Sequence, residues 1–191
     1  MAMRSTALLL ALLLAACKGN TGPEAPPAAV RQQVEEAIRA LDALRAGLAQ
    51  TITAGEAIDE ATFNRVCRPV GQQARLLGET HGWVVRQLAK KYRNPANQPD
   101  SQATVLFARF EADPSLDSLW IRATHNGTPG WRYLRRINVL TQCLACHGPR
   151  DQRPAFIVQN YPDDRAYDFR AGDLRGLYSV FVPDSLLKTS F

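Results

Sequence analysis

The chain has 191 residues, 46% of them hydrophobic and 21% charged. That composition argues against a disordered tail or a multi-span membrane protein and fits one folded domain, with at most a helical extension. The net charge of +5 comes from Lys and Arg scattered along the whole chain, a solvated surface rather than the basic block of a nucleic-acid footprint.

Residues 1–16 read as a leader, not as part of the fold. Arg4 gives a positive start, and Ala7 to Leu14 form an apolar stretch too short to span a bilayer as a helix. Leu14-Ala15-Ala16-Cys17 then places small residues before a cysteine, which is similar to the lipobox of bacterial lipoproteins. The expectation is cleavage before Cys17, a diacylglyceryl group on its sulfur, and a membrane anchored by lipid as the first partner. Lys18 after the lipid site leans toward the outer membrane, with the protein facing the periplasm. Residues 17–28, polar and rich in Gly and Pro, read as a tether, and residues 29–191 as the domain.

Val30, Val34, Ile38, Leu41, Leu44 and Leu48 recur at steps of three and four, which predicts an amphipathic helix from about Pro27 to Thr53. A second helical pattern runs through Ile58, Phe63, Val66, Cys67, Val70, Ala74 and Leu77, with a kink or boundary expected at Pro69. Gly82 to Leu88 reads as a strand, and Tyr92 to Asp100 as a loop of turn formers. Asp100 can cap a helix carrying Ala103, Leu106, Phe107 and Phe110. Leu119–Thr124 and Trp131–Leu140 read as strands joined through a turn at Asn126-Gly127, and Gly176–Val182 as the last strand. Helices first, then an antiparallel sheet interrupted by helices, predict an α+β domain.

Cys143-Leu144-Ala145-Cys146-His147 is a C-x-x-C-H sequence. Thiols at this spacing can reach the two vinyl groups on one edge of a haem, and the adjacent imidazole then lies under the iron. Zinc binding would need a second ligand pair. A thioredoxin-like pair would sit at a helix start after a strand and has no need of the His. A Cys143–Cys146 disulfide is the plain alternative. An exported chain favours one covalently attached haem c, with His147 as an axial ligand. The two methionines, Met1 and Met3, both lie in the leader, so cleavage removes the usual second ligand of electron-carrier cytochromes. Cys67, His81, His125, a Lys, an external molecule or nothing remain. Cys67 is the one cysteine without an assignment, yet on the residues alone a buried thiol on the apolar face with Phe63, Val70 and Ala74 is the favoured explanation. His81 and His125 read more simply as surface residues.

From Val66-Cys67 onward the chain resembles a family of bacterial c-type haem domains with a PAS-like fold, found alone or as extracytoplasmic sensor parts of histidine kinases and chemoreceptors. The resemblance is carried by Arg93-Asn94-Pro95-Ala96-Asn97, Pro99-Asp100, Arg132-Tyr133, Cys143 to Gly148, Tyr161-Pro162-Asp163-Asp164 and Gly172-Asp173-Leu174-Arg175-Gly176. It implies a PAS-like antiparallel sheet flanked by helices, with an N-terminal helical extension. It also implies iron held by His147 and by Cys67 as thiolate, which makes Cys67 the expected second axial ligand. Tyr167-Asp168-Phe169 departs from the Gly-Tyr pair frequent in the family, a departure that concerns the local turn.

Arg93, Arg135 and Arg136 are candidate partners for haem propionates, and Trp83, Trp131 and Tyr133 for core or pocket packing. No phosphate-binding glycine loop or nucleophile elbow is present, and no acid/base pair stands out. The expected function is therefore non-enzymatic: an envelope haem protein sensing redox state or a diatomic gas, with an electron carrier as the alternative and a haem peroxidase a distant third. The chain carries no output domain of its own, so a sensor would need a separate signalling partner, and a carrier a redox partner.

Overall fold

The computed structural model describes residues 25–53 and 55–188. The leader, Cys17 and most of the tether lie outside the described residues. Helix α1 (Ala28–Ala49) presents Val30, Val34, Ile38 and Leu41 as one buried stripe, the face that the sequence period defines.

The second helical pattern divides in two. Helix α2 (Glu60–Val66) starts at Asp59, whose carboxylate accepts from the Thr62 amide at 2.8 Å, and α3 (Arg68–His81) ends at Gly82 in the left-handed conformation, φ 69°. Cys67 is the joint between them. Pro69 is the cause, because it has no N–H to continue the ladder of α2 and is tolerated only in the first turn of a new helix.

The sheet contains β1 (Val84–Leu88), β2 (Ser118–His125), β3 (Thr128–Asn138) and β4 (Leu174–Pro183) in the order β1-β4-β3-β2, all antiparallel. Helix α4 (Ser101–Ala112), between β1 and β2, is capped by Asp100 accepting from Ala103 at 2.8 Å. Asn126 and Gly127 both take positive φ, 49° and 79°, the turn that matches the twist of a two-residue hairpin. Strand β3 begins earlier than its sequence predicts. Pro129 and Gly130 look like turn residues, but a side chain at Gly130 would collide with the Val182 carbonyl on β4, so glycine there permits close strand approach.

Strand β4 is central and is buried from Gly176 to Val182. Tyr178, Val180 and Val182 pack toward α1 and α3 with Tyr133 and Ile137, while Leu177 packs toward α4 with Leu134, Phe107 and Phe110. Burial on both faces explains its nearly continuous apolar run, interrupted only by the buried Ser179, where a one-sided strand would alternate. Two further short helices, α5 (Leu144–His147) and α6 (Ala155–Asn160), lie in the connection between β3 and β4. The α+β class, the antiparallel sheet flanked by helices and the N-terminal helical part all stand as expected, an arrangement consistent with a PAS-like fold.

Candidate functional site

A cavity of about 330 Å³ lies between the α2–α3 joint and the β3–β4 connection. Its lining includes Cys143, Cys146 and His147 from the connection and Cys67 from the joint. His81 and His125 are elsewhere: the His81 ring stacks on Trp83 at 4.3 Å, and the His125 ring meets Phe181 at 5.4 Å. Trp83, Trp131 and Tyr133 are buried in the core and do not line this cavity. Cys67, Cys143 and Cys146 are all free thiols.

The C-x-x-C-H segment is held from several sides. Thr141–Cys143 form a 3-10 turn that runs directly into α5. Gly148 ends α5 by donating to the Leu144 carbonyl at 2.8 Å, and a Cβ at 148 would stand 2.6 Å from that same oxygen. The residue after His147 must therefore be glycine for this turn to close. The peptide carbonyls of His147 and Gly148 accept from Phe169 (3.1 Å) and Asp168 (2.7 Å). Asp168 adopts φ 55°, which its short polar side chain tolerates, and its carboxylate accepts from the Arg150 amide at 3.0 Å. This is how Tyr167-Asp168-Phe169 makes a turn without a glycine.

The ring of His147 has one defined role. Its Nδ1 lies 2.6 Å from the Ala166 carbonyl, an oxygen that only accepts, so Nδ1 carries the proton and Nε2 keeps the lone pair. Arg93 Nη2 is 3.4 Å from Nδ1, but it donates to the Cys146 carbonyl at 2.9 Å instead. Burial, and then Arg175 and Arg93 nearby, push the imidazole well below its ordinary pKa and keep it neutral. Asp164, its side chain fully buried, ties the surroundings together. It pairs with Arg93 at 3.3 Å and with Arg153 at 3.0 Å, and accepts from the Ala166 amide at 3.0 Å.

The Cys67 side is different. The residue is exposed by surface area although its sulfur environment is crowded, because it faces open space within the lining. Burial, and then Cys146, push the thiol up to about 11.

Three arginines line the cavity: Arg45 from α1, Arg93 and Arg175. Arg45 is held by Asp42 at 2.9 Å, and Arg93 by Asp164. Arg175 donates to the Lys91 carbonyl at 3.0 Å and makes no ion pair among the described residues. Burial, and then Arg93, lower it to about 10. Its position comes from a bulge: Ile137 pairs with Gly176 and Asn138 with Leu174, so Arg175 is the extra residue on β4, and bulges re-aim side chains. Of the arginines singled out in the sequence, only Arg93 reaches the cavity. Arg135 pairs with Asp117 at 3.2 Å and Asp42 at 3.6 Å. Arg136 is buried and donates to the carbonyls of Leu116 (3.0 Å), Asp113 (2.9 Å) and Phe110. Both are structural.

Among the described residues, no three of His, Cys, Asp and Glu gather closely enough to hold a bare metal ion. The donors instead face each other across a mainly apolar space whose excess charge is positive. This fits a flat apolar group with an iron centre and carboxylate edges: thiols for thioether links, a neutral Nε2 on one wall, a sulfur on the other, and guanidinium groups for the carboxylates.

Fold and site together define an α+β domain built around a C-x-x-C-H cavity. Residues 24–183 match the family model described as Tll0287-like, and the chain belongs to that family. Among solved structures it is similar to the cyanobacterial haem protein Tll0287, with 42% sequence identity, a TM-score of 0.74, and coverage of 83% of this chain and 97% of that one. No curated protein matches the chain.

Proposed function

We propose that the protein is a cell-envelope haem protein that carries one haem c and acts as a sensor of redox state or of a small ligand. Cys143 and Cys146 would hold it through thioether links, and His147 Nε2 and the Cys67 thiolate would hold its iron. The observation that carries this reading is that Cys67, at a helix joint, lines the same cavity as the C-x-x-C-H segment. When bound, the haem would supply a one-electron iron couple. His147 is kept in place by the Ala166 carbonyl. As a thiolate, Cys67 would favour the ferric state by its negative charge; as a thiol it would bind only weakly, leaving the junction of α2 and α3 less restrained. Arg93 and Arg175 would balance the propionates. A purified protein whose ferric optical and EPR spectra are unchanged in Cys67→Ala would refute the sensor mechanism.

The similarity to a haem protein supports the cofactor. The lipobox ending at Cys17 supports an envelope lipoprotein facing the periplasm, with Lys18 favouring the outer membrane. Among the described residues no helix is long and apolar enough to cross a membrane, so attachment would rest on the lipid. Membrane fractionation of wild type beside Cys17→Ser tests this; fully soluble wild type would overturn it. The alternative is a periplasmic electron carrier docking on a redox partner, favoured by the exposed position of Cys67 at the cavity mouth. Fast reversible reduction with no ligand loss would support the carrier.

A further inference from the structure

A second hollow adjoins the cavity on the outer side of α2 and α3. Phe63, Cys67, Gly71, Asn94, Asn97 and Tyr161 line both spaces. The outer hollow opens to solvent, since Asn64, Arg68, Gly71, Gln72, Arg75 and Asn94 in its lining are exposed. The shared boundary is thus a mouth with Cys67 and Gly71 on its rim. Gly71 is what leaves the mouth wide: a Cβ built there meets nothing within 4 Å.

The chemistry of the outer hollow is selective. Arg68 and Arg75 both line it, and neither makes an ion pair among the described residues; Arg68 reaches only the Asn64 amide oxygen, at 3.4 Å. Glu60 is the one carboxylate in the lining. The amides of Asn94, Asn97 and Asn160 add donors that an anion can use. Asn94 commits its oxygen to the Ala96 amide at 2.9 Å, which leaves its NH₂ to donate outward. Beyond the mouth, Arg93 and Arg175 continue the positive potential inward. A cleft lined by one sign of charge concentrates the opposite ion and raises its arrival rate.

We propose that this hollow is the passage by which a small monoanion, of the size of azide, cyanide or nitrite, reaches the Cys67 side of the cavity. Arg68 and Arg75 gather it, and the gap at Gly71 admits it. The proposal rests on the haem reading above and adds to it the route and the class of ligand.

The test uses haem-loaded protein carrying Cys67→Ala, so that access is not limited by release of the thiol. Azide association with the ferric form is followed by stopped-flow absorbance, and carbon monoxide with the ferrous form is the uncharged comparison. Adding Gly71→Phe is expected to slow both by about tenfold or more, with the spectrum before mixing unchanged. A Cβ at residue 71 meets nothing within 4 Å, and losing a helical glycine does not cost helix stability. Asn64→Trp, on α2, is an independent plug should the first fail to fold. Arg68→Glu with Arg75→Glu should slow azide by about tenfold and leave carbon monoxide unchanged. Azide rates that neither plug alters would overturn the passage. Equal slowing of both ligands by the charge reversal would overturn the preference for anions. A Cys67→Ala ferric spectrum identical to wild type would instead refute the axial role of Cys67, while the plugs would still report where the ligand enters.

Discussion

The two walls of the cavity are built on opposite plans. On the C-x-x-C-H wall almost every group has a partner. His147 is oriented by the Ala166 carbonyl, its peptide is gripped by Phe169, and Asp164 locks Arg93, Arg153 and the Ala166 amide together. On the facing wall Cys67 sits where one helix stops and another starts, with no side-chain cap and a surface open to solvent. Under the proposed reading, the tied wall would be the fixed reference and the open joint the exchangeable contact of a two-state sensor.

The most drastic way to break the contrast is to remove the fixed wall's covalent hold. Cys143→Ser with Cys146→Ser should leave no haem on the polypeptide after denaturing electrophoresis and haem staining. A stained band would remove the basis of the site. Next in size is Asp164→Ala. It strands Arg93 and Arg153, whose one carboxylate among the described residues is the buried Asp164, and losing one partner of a buried ion pair costs about 3–5 kcal/mol. Denaturant titration should register that loss. The ferric spectrum should also change, because the Ala166 carbonyl that aims His147 loses its support.

Cys67→Ala should do the reverse. Stability should change by less than about 1 kcal/mol, as is usual for exposed positions, while the reduction potential rises, because an anionic donor that favours ferric iron is gone. Potentiometry beside thermal melting separates the two walls: Asp164 should move mainly stability, and Cys67 mainly potential. A large stability loss in Cys67→Ala would make it a packing residue after all.

Much of this design is legible in the sequence, and the limits have physical causes. α1, α4 and the β2–β3 hairpin follow from period and caps, since Val34 and Ile38, Asp100, and Asn126-Gly127 each act through neighbours close in sequence. The C-x-x-C-H segment is legible for the same reason. Of the cavity arginines, only Arg93 is. Arg45, Arg135, Arg136 and Arg175 are alike as residues, and what separates them is a bulge that turns Arg175 inward and carbonyls at the end of α4 that capture Arg136. Successive strand residues point to opposite faces, so a one-residue irregularity reverses the assignment. Pro69 signals the break beside Cys67, but the outer hollow depends on Asn94 and Tyr161 arriving from distant segments, which no local pattern encodes.

The smallest expected effect concerns what steadies the exchangeable wall. α2 is anchored at its start by Asp59, and Glu56 ties that start to Arg65, two residues before Cys67. Glu56 accepts from the Thr53 amide at 3.0 Å and from Arg65 at 2.6 Å, and these bonds, the amide first, hold its carboxyl down at about 2 rather than 4.5. Asp59 is lowered by the Thr62 amide in the same way. A carboxylate whose folded pKa is depressed stabilises the fold fully above its unfolded value, and that contribution fades as pH falls through the folded one. For Glu56 the window is therefore pH 4.5 down to about 2. Because this carboxylate lies at the surface, only partly covered, the stabilisation is small, and its location matters more than its size. Hydrogen exchange at the amides of α2 should quicken in Glu56→Gln relative to wild type at neutral pH, and the difference should close as the pH drops through that window. The exchange of His147 and Gly148 amides should not change. If α2 in Glu56→Gln exchanges like wild type at neutral pH, Glu56 is not what holds the Cys67 wall, and the Asp59 cap and the buried Val66 restrain the joint instead.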